Sequence, residues 1–267
     1  MRKKVLFIGM LVTLLFAFSG CGTKSEGVVT LIMSDVQEGD HPTAQACDKF
    51  AELVKKRTNG KVVIEVYHGS TLGTEAEQIA QATVGGIDFV RVSSPVAAYY
   101  DDIKAFQALY LYSSEDDMWK VLDGEIGNEF LKAQQLKDNG LEGLCWISGG
   151  SRNFYNNVRP ITSPEDLAGL TLRVNTDSMF AFLESCGAKG VNVSYNDIYN
   201  SIEAGTIDGA ENNWPSYIST GHYKVAPYIT VDEHTRIPEM IVASTESMNK
   251  LTSEQQQIVR ECAQEAG

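Results

Sequence analysis

Residues 83–93 read TVGGIDFVRVS, and residues 203–215 read EAGTIDGAENNWP. Each copy of Gly-x-Ile-Asp follows a polar stretch with helical spacing and precedes a short run suited to a strand. The chemistry of the motif explains the placement. Glycine takes the left-handed conformation that stops a helix, isoleucine enters a sheet, and aspartate satisfies backbone donors at the turn. Gly and Asp are common turn residues, so one copy carries little weight. Two copies in the same context predict two similar lobes with these as equivalent corners.

Outward from the first copy, VVTLIM from Val28 reads as a buried strand. It is followed by a helix with Ala46, Phe50, Leu53 and Val54 on one face and an Asn59-Gly60 stop. KVVIEVYHG is a second strand, and TEAEQIAQATVGG is a helix opened by Thr74 and Glu77 at capping-box spacing. This alternation predicts an α/β chain with a mainly parallel sheet covered on both faces. Residues 113–140 place Met118, Val121, Leu122, Ile126, Phe130 and Leu131 at helical spacings, and LEGLCWISG is the next strand. After Arg159-Pro160 the pattern restarts. SPEDLAGLTLRVN gives a capped turn and a strand, helices follow over 177–186 and in NDIYNSIEAG, and IDGAEN takes the place that IDFVRV holds in the first half. A strand near Tyr228–Val231 comes next, and PEMIVAS is expected to return the chain to the first lobe. A helix from Thr252 ends the sequence.

The chain has 267 residues, 43% of them hydrophobic and 21% charged, enough for two compact domains. Its net charge of −13, with no basic run beyond residue 4 longer than Lys55-Lys56-Arg57, excludes a nucleic-acid binder. At the start, Arg2-Lys3-Lys4, the apolar run VLFIGMLVTLLFAF and the small residues Ser19-Gly20 make an export signal, 1–20, too short to span a bilayer. Gly20 before Cys21 resembles a bacterial lipoprotein processing site. On that reading Cys21 is the lipidated N-terminus and 21–27 a tether; ordinary cleavage is the alternative. The protein is therefore expected outside the cytoplasmic membrane, in the periplasm or on its outer face. Cys47, Cys145, Cys186 and Cys262 have neither Cys-x-x-Cys nor zinc spacing, so no metal or cofactor is expected.

No nucleophile elbow, phosphate loop, dinucleotide fingerprint or zinc-protease motif is present. What stands out is arginine and asparagine at strand ends: Arg91, Arg152 with Asn153, Arg173 inside LTLRVN, and Asn212-Asn213. A buried arginine needs a partner, and its planar fork matches a carboxylate. That partner is a ligand or, alternatively, an internal salt bridge; Asn212 has the alternative role of capping a helix at Trp214. The ends of strands in an open α/β sheet are where ligands bind. His41 and His234 are placed to face a cleft, whereas His68 and His222 are read as surface or loop residues. Phe154, Tyr155, Trp214, Tyr217 and Tyr99-Tyr100 suit either a sugar-stacking wall or the core.

The stretches LGTEAEQ, GGIDFVRVS, SGGSRNFYN, EDLAGLTLRV and NDIYNSIEAGTIDGAENN, in that order, resemble the extracytoplasmic solute receptors of TRAP transporters, the DctP-type family. The likeness covers residues 28–265. It implies a type II periplasmic-binding-protein fold, each lobe a mixed sheet flanked by helices, with lobe I formed by 28–149 plus 238–267 and lobe II by 150–237. The lobes close on an organic acid. By the resemblance Arg173 makes the two-pronged bond to the ligand carboxylate, Asn212 and Arg152 join it, and ENNWPSYISTGHYKVAPY with DEHTRIPE is similar to the branch that takes sugar acids such as hexuronates. Glu75, Arg91, His41 and Asn213 would then read ring hydroxyls. Relatives continue some fifty residues further, so the end at Gly267 suggests a truncated frame or a fragment. The expectation is a monomeric, non-enzymatic receptor, anchored through Cys21, that hands its acid to integral-membrane permease subunits. The competing readings are an exported lyase or hydrolase using Glu75 and His234 as acid and base, a C4-dicarboxylate receptor, and a sensory module.

Overall fold

The computed structural model describes residues 27–267; the expected signal segment, Cys21 and all of the expected tether but Gly27 lie outside the described residues. Ten strands form two five-stranded mixed sheets: β1 (Val29–Ser34), β2 (Val62–Tyr67), β3 (Phe89–Val92), β4 (Leu141–Ser148), β5 (Arg152–Asn156), β6 (Thr171–Arg173), β7 (Lys189–Val191), β8 (Gly209–Asn213), β9 (Tyr228–Thr235) and β10 (Pro238–Ser244). Their orders are β2-β1-β3-β10-β4 and β7-β6-β8-β5-β9. In both, three parallel strands are followed by two antiparallel neighbours. PEMIVAS does return to the first sheet, as β10 between β3 and β4. The mainly parallel expectation holds for the βαβ part of each half. Strands that have crossed from the other half enter antiparallel.

The two Gly-x-Ile-Asp copies occupy equivalent places. Gly85 and Gly205 are left-handed, with φ of 72° and 70°, and Ile87 and Ile207 are buried. Asp88 Oδ2 accepts from the Ile32 amide of β1, and Asp208 Oδ2 from the Thr171 amide of β6, each at 2.7 Å. The aspartates thus satisfy a donor of the neighbouring parallel strand in place of the turn donors expected of them.

Each sheet is covered on both faces. On the first, Leu31, Phe50, Phe89 and Val259 pack on one side, and Val90, Phe106, Leu122 and Trp146 on the other. On the second, Phe154, Leu172 and Leu183 lie opposite Tyr155, Ile198, Ile202 and Ile207. Neighbouring residues such as Phe154 and Tyr155 serve opposite faces because side chains alternate along a strand. The helix Pro42–Arg57 ends at left-handed Asn59 and Gly60, and it packs with the terminal helix Ser253–Ala266, which a Thr252–Gln255 capping box starts. The helical middle is three short helices, Glu115–Leu122, Glu125–Leu131 and Gln134–Asp138, and Ile126, expected in the core, is half exposed at 51%.

The chain crosses between sheets at Gly149-Gly150 and again at Arg236-Ile237. The first crossing needs glycine. A Cβ on Gly149 would stand 2.6 Å from Asn213 Nδ2 and 3.0 Å from Glu239 Oε1, and Gly150 has φ of 85°. Hydrogen bonds join the halves elsewhere: Tyr195 Oη donates to Gln37 Oε1 at 2.6 Å, Ser70 Oγ to Asn196 Oδ1 at 2.9 Å, and Ser178 Oγ to the Gln107 carbonyl at 2.8 Å.

Candidate functional site

Between the sheets lies a cavity of about 370 Å³, lined on one side by Glu75, Ser93 and Glu239 and on the other by Arg152, Arg173 and Asn212, with Gln37, Asn175 and Tyr195 among the rest. The cationic side forms because β6 and β8 run parallel and end there. Arg173 is the last residue of β6, beside Ala210 of β8, and Asn212 and Asn213 finish β8. Antiparallel β5 begins at the same edge, so that Arg152 pairs with Asn213 and Asn153 with Asn212.

The two arginines differ in their partners. Arg152 is held by Glu211, with Nε on Oε2 at 2.5 Å and Nη2 on Oε1 at 2.9 Å, and its Nη1 donates to Asn212 Oδ1 at 2.8 Å. Burial pushes the Glu211 carboxyl up, but Arg152 and His234 overcome this and hold it down at about 2. Arg173 donates Nε to the Val193 carbonyl at 3.0 Å and has no acidic partner within 4.0 Å among the described residues. Burial lowers its pKa, Glu211 opposes that, and the like charge of Arg152 adds to it. Asn212 Oδ1 is occupied by Arg152 and by the Asn213 amide, leaving Nδ2 as its donor toward the cavity. Asn175 places a buried Oδ1 there with no partner.

On the opposite side Glu75 is the first residue of the helix Glu75–Ala82, behind the complete Thr74–Glu77 capping box. Its carboxylate accepts from the Ser93 amide at 2.5 Å and from Ser93 Oγ at 3.0 Å. Arg91 is fully buried beneath the cavity. Its Nε donates to Asp35 Oδ1 at 2.8 Å, Nη1 to Glu239 Oε2 at 3.2 Å, and Glu75 Oε2 is 3.9 Å away. Arg91 is therefore met by three carboxylates of its own half, and its Nη2 has no partner.

Arg91, His41, Asn153 and Asn213 do not line the cavity. His41 caps the helix Pro42–Arg57, accepting from the Thr43 amide at Nδ1, and its Nε2 meets Ser216 Oγ of the other half at 3.2 Å. Asn213, and not Asn212, is the helix cap, accepting from the Ser216 amide at 2.8 Å. Asn153 ties β5 to β9 by accepting from the Glu233 amide at 3.1 Å. His222 is buried, contrary to its reading as a surface residue, with Nδ1 on Tyr155 Oη at 2.8 Å. Phe154, Tyr155 and Tyr217 are core residues. Phe154 stacks on His234 with centroids 4.5 Å apart. The aromatic that reaches the cavity is Tyr195. Sequence reasoning did not single out Tyr195, Gln37, Asn175 or Glu239. The signal for Glu239 was its place at the first position after Pro238, beside the return crossing.

His234 and Glu75 do not form an acid–base pair across the cavity. His234 is outside it, with Nδ1 on Asp232 at 2.9 Å and Nε2 on Glu211 at 3.3 Å. Cys47, Cys145, Cys186 and Cys262 are free thiols, and no group of three or more metal-ligating side chains occurs among the described residues.

The sequence profile of the DctP family, bacterial extracellular solute-binding protein family 7, matches residues 33–267. The chain belongs to this family. A solute-binding protein of Chromohalobacter salexigens is 34% identical over 234 residues, 87% of this chain and 69% of the relative. Among solved structures, a TRAP periplasmic solute-binding protein from Sulfitobacter sp. NAS-14.1 with bound β-D-galacturonate superposes with a TM-score of 0.85 at 32% identity, over 89% of this chain and 79% of the other. One from Citrobacter koseri with bound D-glucuronate gives 0.84 at 35% identity, over 89% and 79%. The two-sheet architecture of this DctP-family chain is thus that of two-lobed solute receptors.

Proposed function

We propose that this DctP-family protein is the extracytoplasmic receptor of a TRAP transporter and captures a hexuronate between lobe I (28–149 plus 238–267) and lobe II (150–237). One observation carries the reading: a buried guanidinium, Arg173, lines a cavity with both terminal nitrogens uncommitted to any carboxylate among the described residues. A desolvated cation without a counter-charge is costly, and a ligand carboxylate on its fork removes that cost. The acids bound by the Sulfitobacter and Citrobacter proteins support a sugar acid as the ligand.

In this reading Arg173 grips the carboxylate, Arg152 and Asn212 donate beside it, and Glu75 accepts from hydroxyls across the cavity. Arg91 holds the carboxylates of lobe I in place, while His41, Asn213 and Asn153 shape the interlobe contact and the β5 edge. The ligand favours the closed lobes by the contacts it makes only there. The protein acts as a monomer without turnover. Cys21 carries the lipid anchor on the outer face of the cytoplasmic membrane, and membrane permease subunits receive the ligand. Calorimetry of the mature chain with D-galacturonate, D-glucuronate and uncharged D-galactose tests this: one-to-one binding of an acid and none of the neutral sugar is expected. Equal binding of acid and neutral sugar, or turnover of the acid, overturns it.

A further inference from the structure

The side of the cavity facing Arg173 has a chemistry that the carboxylate grip leaves unused. Glu239 is 5% exposed and lines the cavity. Its Oε2 accepts from Arg91 Nη1 at 3.2 Å, while Oε1 has no hydrogen-bond partner among the described residues. Glu75, on the same wall, offers a second carboxylate. Behind them Asp35 already engages the Arg91 Nε. Arg91 thus meets three carboxylates, His68 Nδ1 stands 3.8 Å from Asp35 Oδ2, and Glu239 and Glu75 make the wall facing the cavity acidic. Arg152 stands between a cationic and an anionic end. The groups bearing most on Arg173 are Glu211, Arg152, Tyr155 and Tyr195, whereas those bearing on Glu239 are Arg91, Glu75, Asp35 and Arg152.

We infer that Glu239, with Glu75, determines specificity: its free Oε1 accepts a hydroxyl from the far end of a monocarboxylate polyol, and its charge rejects an acid bearing a second carboxylate there. The inference rests on the proposed function and narrows its ligand class, setting the chain apart from a dicarboxylate receptor. A neutral hydroxyl can donate to an acceptor-only group. A second carboxylate cannot, and like charges brought together in a desolvated site cost several kcal/mol.

The test pairs D-galacturonate with galactarate, which has the same carbon skeleton and a second carboxylate, by calorimetry on the mature chain and on Glu239→Gln. At pH 8 wild type is expected to prefer galacturonate by about 100-fold, and Glu239→Gln to narrow that ratio by about 10-fold. An unchanged ratio overturns the inference and leaves the receptor reading standing. Failure of wild type to bind either D-galacturonate or D-glucuronate overturns both. Should the variant not fold, wild type at pH 8 and pH 5.5 decides. Burial, with Glu75 and Asp35 adding and Arg91 and Arg152 opposing, raises the Glu239 pKa to about 7. The side chain is then mostly ionised at the first pH and mostly neutral at the second. A narrower ratio at pH 5.5 supports the assignment, and the same ratio at both overturns it.

Discussion

Arg173 donates its Nε to the Val193 carbonyl at 3.0 Å and holds the rest of its guanidinium toward the cavity. Removing one partner of a desolvated charge pair costs about 2–5 kcal/mol, so Arg173→Ala is expected to weaken hexuronate binding by about 30-fold to several thousandfold. Arg173→Lys restores a charge without the planar fork and recovers only part of that affinity. Since no acidic partner is stranded, the ligand-free melting temperature of Arg173→Ala stays near that of wild type. Titration calorimetry together with thermal melts checks both halves, and an unaltered Kd would remove the anchor from the scheme.

Arg152 behaves oppositely, because its removal leaves Glu211, 1% exposed, with only His234 beside it. Breaking a buried pair on one side costs about 3–5 kcal/mol, or on the order of 10 °C in melting temperature for a chain of this size. Arg152→Ala should therefore lose stability before ligand is added, and Arg152→Ala combined with Glu211→Gln should regain part of it. A double-mutant cycle of melting temperatures reads the coupling; additive losses would show that the pair does not act as a unit.

The paired corners were legible because their chemistry is local. A left-handed glycine and a buried isoleucine follow from consecutive residues, and the repeat of that unit announced two halves; the aspartates' partners, 56 and 37 positions away, did not follow from it. The strand Thr171–Arg173 was legible for the same reason. Burial of His222 and the core packing of Tyr155 were not, since both depend on helices that meet the second sheet from distant sequence. Glu239 reaches the cavity because the chain crosses back to the first sheet, and Tyr195 because the second half faces the first. No spacing along the chain encodes that convergence.

The equivalence of Asp88 and Asp208 is measurable. Each accepts from a backbone amide of a neighbouring parallel strand, Ile32 or Thr171, at 2.7 Å. Replacing either by alanine leaves that donor unsatisfied at a cost of about 1–3 kcal/mol. Hydrogen exchange should speed up at Ile32 in Asp88→Ala and at Thr171 in Asp208→Ala, each change confined to its own half. Loss of protection in both halves from one substitution would contradict the division.

Closure also depends on contacts the two halves make directly with each other at the cavity wall. Tyr195 Oη donates to Gln37 Oε1 at 2.6 Å, beside Ser70 on Asn196. Tyr195→Phe removes a hydrogen bond made between the lobes, worth about 1 kcal/mol net, and is expected to raise Kd about fivefold, chiefly through faster release. Stopped-flow dissociation checks this, and a slower release would show that the contact opposes closure.

Glu239 also predicts how ligand-free stability responds to pH. In the unfolded chain its carboxyl ionises near 4.5, and in the folded protein near 7, so between these values the native state holds a proton that the unfolded state has released. Stability from this group is therefore greatest below about pH 4.5 and falls as pH rises toward 7, by about 3 kcal/mol. His41 and His222 act the other way. Burial, reinforced by Arg91 for the first and Arg173 for the second, lowers both from 6.5 to about 4, so they remain neutral while the unfolded chain protonates, and they stabilise the fold as pH rises through the same range. The wild-type curve is thus partly self-cancelling. Glu239→Gln removes only the falling contribution, so its melting temperature relative to wild type should increase from pH 5 to pH 8. Scanning calorimetry of the two proteins in matched buffers gives that difference directly, and a difference that is flat or shrinks across the interval would mean that Glu239 is ionised throughout.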